Sequence, residues 1–210
     1  LKYNLLGVFF MKFIAHRGLW NKEVKANSYK AIYNGLMSDS YIGIETDIRV
    51  TKDGIFIIYH DALYKGILVK NTMYKDIKGA ACKLESILKI DSSKIFLLEI
   101  KDFDMNVNKF LKILNKYKRN IMIMSFDTKV IEKIKKISKK YKLGVLNYIL
   151  NSDSSYNFDF ICLLDAISNN LVIESFKKRN IDVLIYGTIN PNKNLTYIID
   201  DIKYHKTNSI

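Results

Sequence analysis

The sequence predicts an α/β chain folded as a compact (β/α)8 TIM barrel with a short or missing final strand. Three observations predict it. Strand-like and helix-like stretches alternate along the 210 residues. The strand-like stretches are almost continuously apolar, as in "KIFLLEIK" at 94–101, which is how parallel strands covered on both faces read. Seven such strands fall near residues 14, 45, 97, 122, 145, 161 and 184, with only a polar tail left for an eighth. A doubly wound open sheet also satisfies the alternation and is the second choice.

"KFIAH" at 12–16 reads as the first strand. Tyr29, Ile32, Tyr33 and Leu36 then recur at i, i+3, i+4 and i+7, one face of a helix. "YIGIETDIRV" at 41–50 is the second strand. Asp53-Gly54 is a tight-turn pair, and "IFIIYH" at 55–60 is the strand that returns. Residues 61–81 are polar and irregular and read as a long loop, and "KLESILK" at 83–89 as a short helix. After the strand at 94–101, Val107, Phe110, Leu111, Leu114 and Tyr117 form a helical stripe. A strand at 120–126 precedes a second stripe of Val130, Ile131, Ile134, Ile137 and Tyr141. Strands at 143–149 and 158–164, a helix at 169–179 and a strand at 181–187 follow. Leu195, Ile198, Ile199 and Ile202 after Pro191 read as a last helix, because Pro suits a helix's first turn.

Residues 1–11 read as an N-terminal extension and 12–210 as one barrel domain. The apolar run near the start is too short to span a bilayer and lacks a small-residue cleavage site, so the expected location is cytoplasmic. Cys82 and Cys162 are far apart and outside any Cys-x-x-Cys motif, which fits a reducing compartment and argues against structural zinc. The formal net charge of +13 attracts anions. Its lysines lie mainly on helix-like stretches such as "EKIKKISKKYK" with no aromatic–basic nucleic-acid motif, so nucleic acid is not the expected partner.

Chemistry in such a barrel sits at the carboxyl ends of the strands. His16-Arg17-Gly18 follows the first strand, Glu45 and Asp47 lie late in the second, His60 ends the returning strand, and Glu99 and Lys101 end the next. Each alone reads as a solvated end, an ion pair or a loop residue; their joint placement is what points to a site. Glu45 and Asp47, two apart, leave the same face of their strand. Glu99 and Lys101 repeat the pattern next door. Three carboxylates so placed repel one another unless a cation lies between them, and an all-oxygen set suits Mg²⁺ or Ca²⁺ rather than zinc.

"FIAHRG" at 13–18, "GIETDIRVTKDGIFIIYHD" at 43–61, "LESIL" at 84–88, "LLEIK" at 97–101 and "IMSFD" at 123–127 together resemble the glycerophosphodiester phosphodiesterase family, collinearly from about residue 12 to about 190. The resemblance implies a (β/α)8 barrel and metal-dependent hydrolysis of a small-molecule phosphodiester to glycerol-3-phosphate and an alcohol. It makes His16 and His60 the catalytic histidines, Glu45, Asp47 and Glu99 the ligands of a divalent cation, and Arg17 and Lys101 the substrate-binding cations. Two positions depart from the family's pattern: Ala26-Asn27-Ser28 stands where Glu-Asn-Thr is usual, and Tyr186 where the seventh strand usually ends near Trp. An alternative within the same chemistry is a lysophospholipase D-like or sphingomyelinase D-like enzyme acting at membranes. That would need an exposed apolar rim, and Leu63, Tyr64, Ile67, Leu68, Met73 and Tyr74 are instead expected to pack onto the barrel. A non-catalytic barrel that binds phosphorylated ligands is a further alternative, against which the two histidines count.

Overall fold

A computed structural model describes residues 11–149, 157–188, 191 and 194–200. In chain order the elements are β1 (Lys12–Ala15), α1 (Tyr29–Met37), β2 (Gly43–Val50), β3 (Phe56–Ile58), β4 (Leu63–Tyr64), β5 (Ile67–Leu68), α2 (Tyr74–Ile77), β6 (Cys82–Lys83), α3 (Leu84–Leu88), β7 (Ile95–Ile100), α4 (Val107–Leu114), β8 (Asn120–Ser125), α5 (Thr128–Ile137), β9 (Lys142–Asn147), β10 (Phe160–Leu164), α6 (Asn170–Lys177), β11 (Asp182–Tyr186) and β12 (Thr196–Ile199). Two 3-10 turns, Val69–Asn71 and Asp165–Ile167, complete the set.

Eight strands, β1, β2 and β7 to β12, pair in parallel and close on themselves through β1–β2 and β1–β12. Closure excludes the open sheet. It also corrects the reading of 195–202. Thr196–Ile199 is the eighth strand, short at four residues, and not a helix. Leu195, Ile198 and Ile199 are compatible with either period, and only the gap between β11 and β1 decides between them. Ile202 lies outside the described residues, as does His205, which the sequence places on the surface.

Four helices begin where the sequence supplies a capping oxygen. Ser28, Asn106, Asp127 and Asn169 each accept a hydrogen bond from a backbone N–H in the first turn of α1, α4, α5 and α6. On α1 the stripe is rotated from its expected position. Ala31, Ile32, Gly35 and Leu36 face the barrel, while Tyr29 and Tyr33 stack on each other at 6.5 Å, both exposed. Tyrosine at i, i+4 imitates a core pair but satisfies itself on the outside.

Residues 61–81 are not structureless. Lys65 and Gly66 both take positive φ and close a two-residue hairpin between β4 and β5. Val69, Ile77 and Ala81 then pin the segment under Ile57. Lysine in place of Asn or Asp at the turn hid the hairpin. Of the residues expected to pack on the barrel, Tyr64 and Tyr74 do so in part, and Leu63, Ile67, Leu68 and Met73 stand exposed.

Strand parity divides the core in two. Phe96, Leu98 and Ile100 of β7 face the helices, with Ile44 and Ile48 of β2. Leu97 faces inward, with Ile14, Met122, Leu146, Phe160, Cys162, Leu184 and Ile198. Phe160 fills the barrel interior against Gly144, where any Cβ would come within 2.3 Å of the ring. Glu45, Asp47 and Glu99 share the inward parity and sit on top of this apolar plug. Among the described residues no helix is long and apolar enough to cross a membrane.

Candidate metal centre and active site

The register of the barrel assembles the acids. Asp47 and Glu99 are direct partners across β2 and β7, and Glu45 lies one inward step below Asp47. Oxygens of all three lie within 4.8 Å of one another, and all three side chains are buried. This is the one such cluster among the described residues.

Two cations reach it. Lys101 Nζ is 3.1 Å from Asp47 Oδ1 and 2.5 Å from Glu99 Oε1. Arg17 Nε is 3.4 Å from Asp47 Oδ2. The Arg17 backbone N–H donates to Glu45 Oε2 at 3.0 Å. That bond needs the left-handed turn in which Arg17 (φ +56) and Gly18 (φ +78) both lie. At Gly18 a Cβ would meet the Ala31 backbone at 2.5 Å, so only glycine lets α1 come this close. Asn27 survives from the altered tripeptide and anchors Asp47. Its Nδ2 donates to Asp47 Oδ2 at 2.7 Å, while its Oδ1 accepts from the Thr46 hydroxyl at 2.7 Å.

The acids are not electrically equivalent. Burial works to raise the Asp47 carboxyl, but Lys101, the Asn27 amide and Arg17 outweigh it and hold it below its usual value. Burial raises Glu99 despite Lys101. Burial, then the charges of Asp47 and Glu99, push Glu45 well above the usual carboxylate range. Glu45 Oε1 is buried and has no hydrogen-bond partner. A buried carboxylate in this position must either take a proton or share a cation. The residues therefore fit a divalent ion: an all-oxygen donor set, mutually repelling, in which Glu45 Oε1 has neither a hydrogen bond nor a paired cation and Glu99 Oε1 has only Lys101 beside it.

Both histidines stand at the same edge, each with a carboxylate on Nδ1. His16 Nδ1 is 2.6 Å from Asp200 Oδ1, at the end of β12, and its Nε2 is 3.9 Å from Glu45 Oε2. His60 Nδ1 is 2.9 Å from Asp61 Oδ1. His60 lines an open cleft of ≈ 450 Å³ with Arg49, Leu63 and Lys101. Arg49 Nε donates to the His60 carbonyl at 2.8 Å, and Asp102 takes Arg49 Nη1 at 2.6 Å, which fixes the strap carrying the imidazole. Tyr186 ends β11 near Phe126, 6.5 Å between ring centres. A larger cavity of ≈ 630 Å³ at the amino end of the barrel, bounded by Lys12, Ile42, Ile95 and Lys142, has no such acid cluster.

All seven residues singled out from the sequence thus converge on one edge. Sequence reasoning missed Asp200, Arg49 and Asp102. The first lay in a segment read as helix. The other two are an ordinary-looking Arg and Asp whose pairing spans 53 positions.

The chain matches the glycerophosphoryl diester phosphodiesterase family. The family's model covers residues 16–87, about a third of the chain, and includes His16, Arg17, Glu45, Asp47 and His60. Glu99 and Lys101 lie beyond that segment and join it through the β2–β7 register. No curated protein matches the chain. Several solved structures share its fold. A glycerophosphodiester phosphodiesterase from Thermotoga maritima is 22% identical, with 92% of this chain and 96% of that one covered and a TM-score of 0.74. One from Parabacteroides distasonis is 18% identical over 90% and 92%, TM-score 0.76. An Oleispira antarctica phosphodiesterase in complex with the product sn-glycerol-3-phosphate is 16% identical over 90% and 92%, TM-score 0.76. At these identities the likeness establishes the barrel and not the chemistry.

Proposed function

We propose that this protein is a metal-dependent phosphodiesterase that hydrolyses glycerophosphodiesters to glycerol-3-phosphate and an alcohol. The observation that carries the reading is the uncompensated Glu45 oxygen beside Asp47 and Glu99, at the strand edge where two carboxylate-held histidines also stand. The family match over 16–87 and the product named in the Oleispira structure supply the substrate class.

Glu45, Asp47 and Glu99 would hold Mg²⁺ or Ca²⁺, whose positive charge stabilises the negative charge that develops on the phosphoryl oxygens. Arg17 and Lys101 stand at the same oxygens' edge and would turn from the carboxylates to the phosphate when it enters, Arg17 as a fork and Lys101 as a point charge. A carboxylate at Nδ1 keeps the proton on that nitrogen, so Nε2 is the atom that His16 and His60 offer to substrate. One neutral Nε2 would take a proton from the nucleophile, water or a substrate hydroxyl, and the other, protonated, would give one to the departing alkoxide; where a substrate hydroxyl attacks, water then opens the cyclic phosphate with the two roles reversed, releasing glycerol-3-phosphate.

The direct test is hydrolysis of glycerophosphocholine, glycerophosphoethanolamine and glycerophosphoglycerol with Mg²⁺ or Ca²⁺ added, following glycerol-3-phosphate. Release from at least one of them is expected. No release from any, with folded protein and either metal, would overturn the reading.

Asp200 is a positioning residue for His16. Asp200→Asn is expected to lower kcat by on the order of tenfold, less than a buried partner's loss because Asp200 is half exposed. The expected accompaniment is a displaced pH profile with KM nearly unchanged, and recovery in Asp200→Glu. An unmoved profile would remove the assignment.

A further inference from the structure

Arg49 stands where a further ligand of the acid cluster would stand, and it does something else. It takes the next step on the same face of β2 after Glu45 and Asp47. One position beyond the Ile48–Ile100 pair, it is level with Lys101 at the end of β7, whose N–H donates to the Ile48 carbonyl at 3.0 Å. Lys101 turns to Asp47 and Glu99. Arg49 turns instead to a carboxylate of its own. Asp102 Oδ1 takes its Nη1 at 2.6 Å, and Asp102 Oδ2 takes the Val50 N–H at 2.7 Å.

The same guanidinium reaches His60. β3 ends at Ile58, and the Tyr59 N–H still bonds the Asp47 carbonyl at 3.0 Å. Beyond it, among the described residues, one hydrogen bond holds the His60 main chain: Arg49 Nε donates to its carbonyl at 2.8 Å. The imidazole is 39% exposed, and its partner Asp61 is its neighbour in the chain. A neighbour moves with the histidine and fixes nothing against the barrel. Arg49 and Asp102 are only 13% and 14% exposed. A planar guanidinium fixes the angle between the bonds it donates, so a carboxylate anchored at the end of β7 sets where the His60 carbonyl lies. Stability alone is a poor reason for the pair, because desolvation offsets much of what a buried ion pair gains. Asp102 directly follows Lys101, so Lys101, Asp102, Arg49 and His60 form one linked run around the cleft that Arg49, His60 and Lys101 line.

We propose that Arg49 and Asp102 are positioning residues: they hold the His60 imidazole at a set distance from Lys101, and so from the phosphoryl group that Lys101 would receive. The effect on turnover rests on the function proposed above; the placement of His60 does not.

The test is steady-state kinetics on glycerophosphocholine with Mg²⁺ or Ca²⁺. Arg49→Met should lower kcat by on the order of 10- to 100-fold with KM within about twofold, the scale of a small misplacement of a reacting group. In a His60→Ala background the same change should cost less than about twofold, because Arg49 then has nothing left to position. A cost that persists there, or a raised KM in place of a lowered kcat, would make Arg49 a substrate-binding cation and overturn the proposal. Arg49→Met alone strands the Asp102 charge, so Arg49→Met with Asp102→Asn supplies the uncharged comparison, its amide oxygen still able to accept the Val50 N–H. The double variant should melt closer to wild type than Arg49→Met does and remain as slow. Turnover that returned together with the melting temperature would reduce the pair to a structural role. The placement is also read without turnover. The His60 Cε1–H resonance, assigned by its loss in His60→Ala, should shift or broaden in the double variant, and an unmoved resonance would overturn the proposal. A wild type that cleaves no glycerophosphodiester while that resonance moves would sink the function and leave the placement of His60 standing.

Discussion

His16→Ala and His60→Ala are each expected to lose roughly 10²- to 10⁴-fold in kcat/KM on a glycerophosphodiester, the usual worth of a positioned acid or base. Neither change should unfold the protein. Both imidazoles are more than a third exposed, and neither packs against the barrel interior. The partners left behind, Asp200 and Asp61, are themselves open to water and can rehydrate. Thermal unfolding within a few degrees of wild type is therefore the control, and turnover by released glycerol-3-phosphate is the readout. The two variants should also alter opposite limbs of the pH–rate profile, because one group acts bare and the other protonated. Wild-type turnover in both variants would end the two-histidine mechanism while leaving the metal centre untouched.

The second large effect belongs to the metal. Stripped of divalent ions, the protein carries Glu45 and Glu99 with carboxyls raised above their unfolded values. A group raised on folding contributes its stability below the unfolded carboxylate range and loses it as pH climbs through the folded value. Asp47, held low, acts in the opposite direction, present above the ordinary aspartate range and lost in acid. The stripped protein should therefore lose melting temperature as pH rises above the ordinary glutamate range. Saturating Mg²⁺ or Ca²⁺ should return it, by about 5–10 °C at a hundredfold excess over Kd. Binding should release protons at low pH, where Glu45 holds one, and tighten as pH rises. Glu45→Gln should flatten both trends and abolish the metal-induced shift. A melting temperature indifferent to metal at every pH would remove the centre, and activity should follow it, vanishing in excess chelator.

How far the sequence carried the reading differs from element to element. The parallel strands were legible because their apolar runs are long and their acids fall at one end, as in "LLEIK" and "GIETDIRV". β12 was not, since Leu195, Ile198 and Ile199 fit a helix equally well, and its identity is set by pairing with β11 on one side and, across nearly the whole chain, with β1 on the other. The hairpin at 63–68 escaped for a similar reason, its turn being made by Lys65 in a conformation lysine seldom adopts. Glu45, Asp47, Glu99 and Lys101 were readable from strand parity, and His16, Arg17 and His60 from their places at strand ends; the roles given to them came from the family resemblance. Their inequality was not. That Glu45 alone of the three has no Lys or Arg side chain paired with it follows from where Lys101 and Arg17 end up, and no spacing encodes it. Asp200 belongs to the same class: its role exists only once the barrel has closed.

The contact between His16 and Asp200 joins the outgoing ends of the earliest and the latest strands. During synthesis, then, everything from the first helix to the seventh strand can emerge from the ribosome while the imidazole still lacks its carboxylate. The barrel closes, and that contact forms, at a single late moment, when residue 200 clears the exit tunnel and its strand slides into the last open slot.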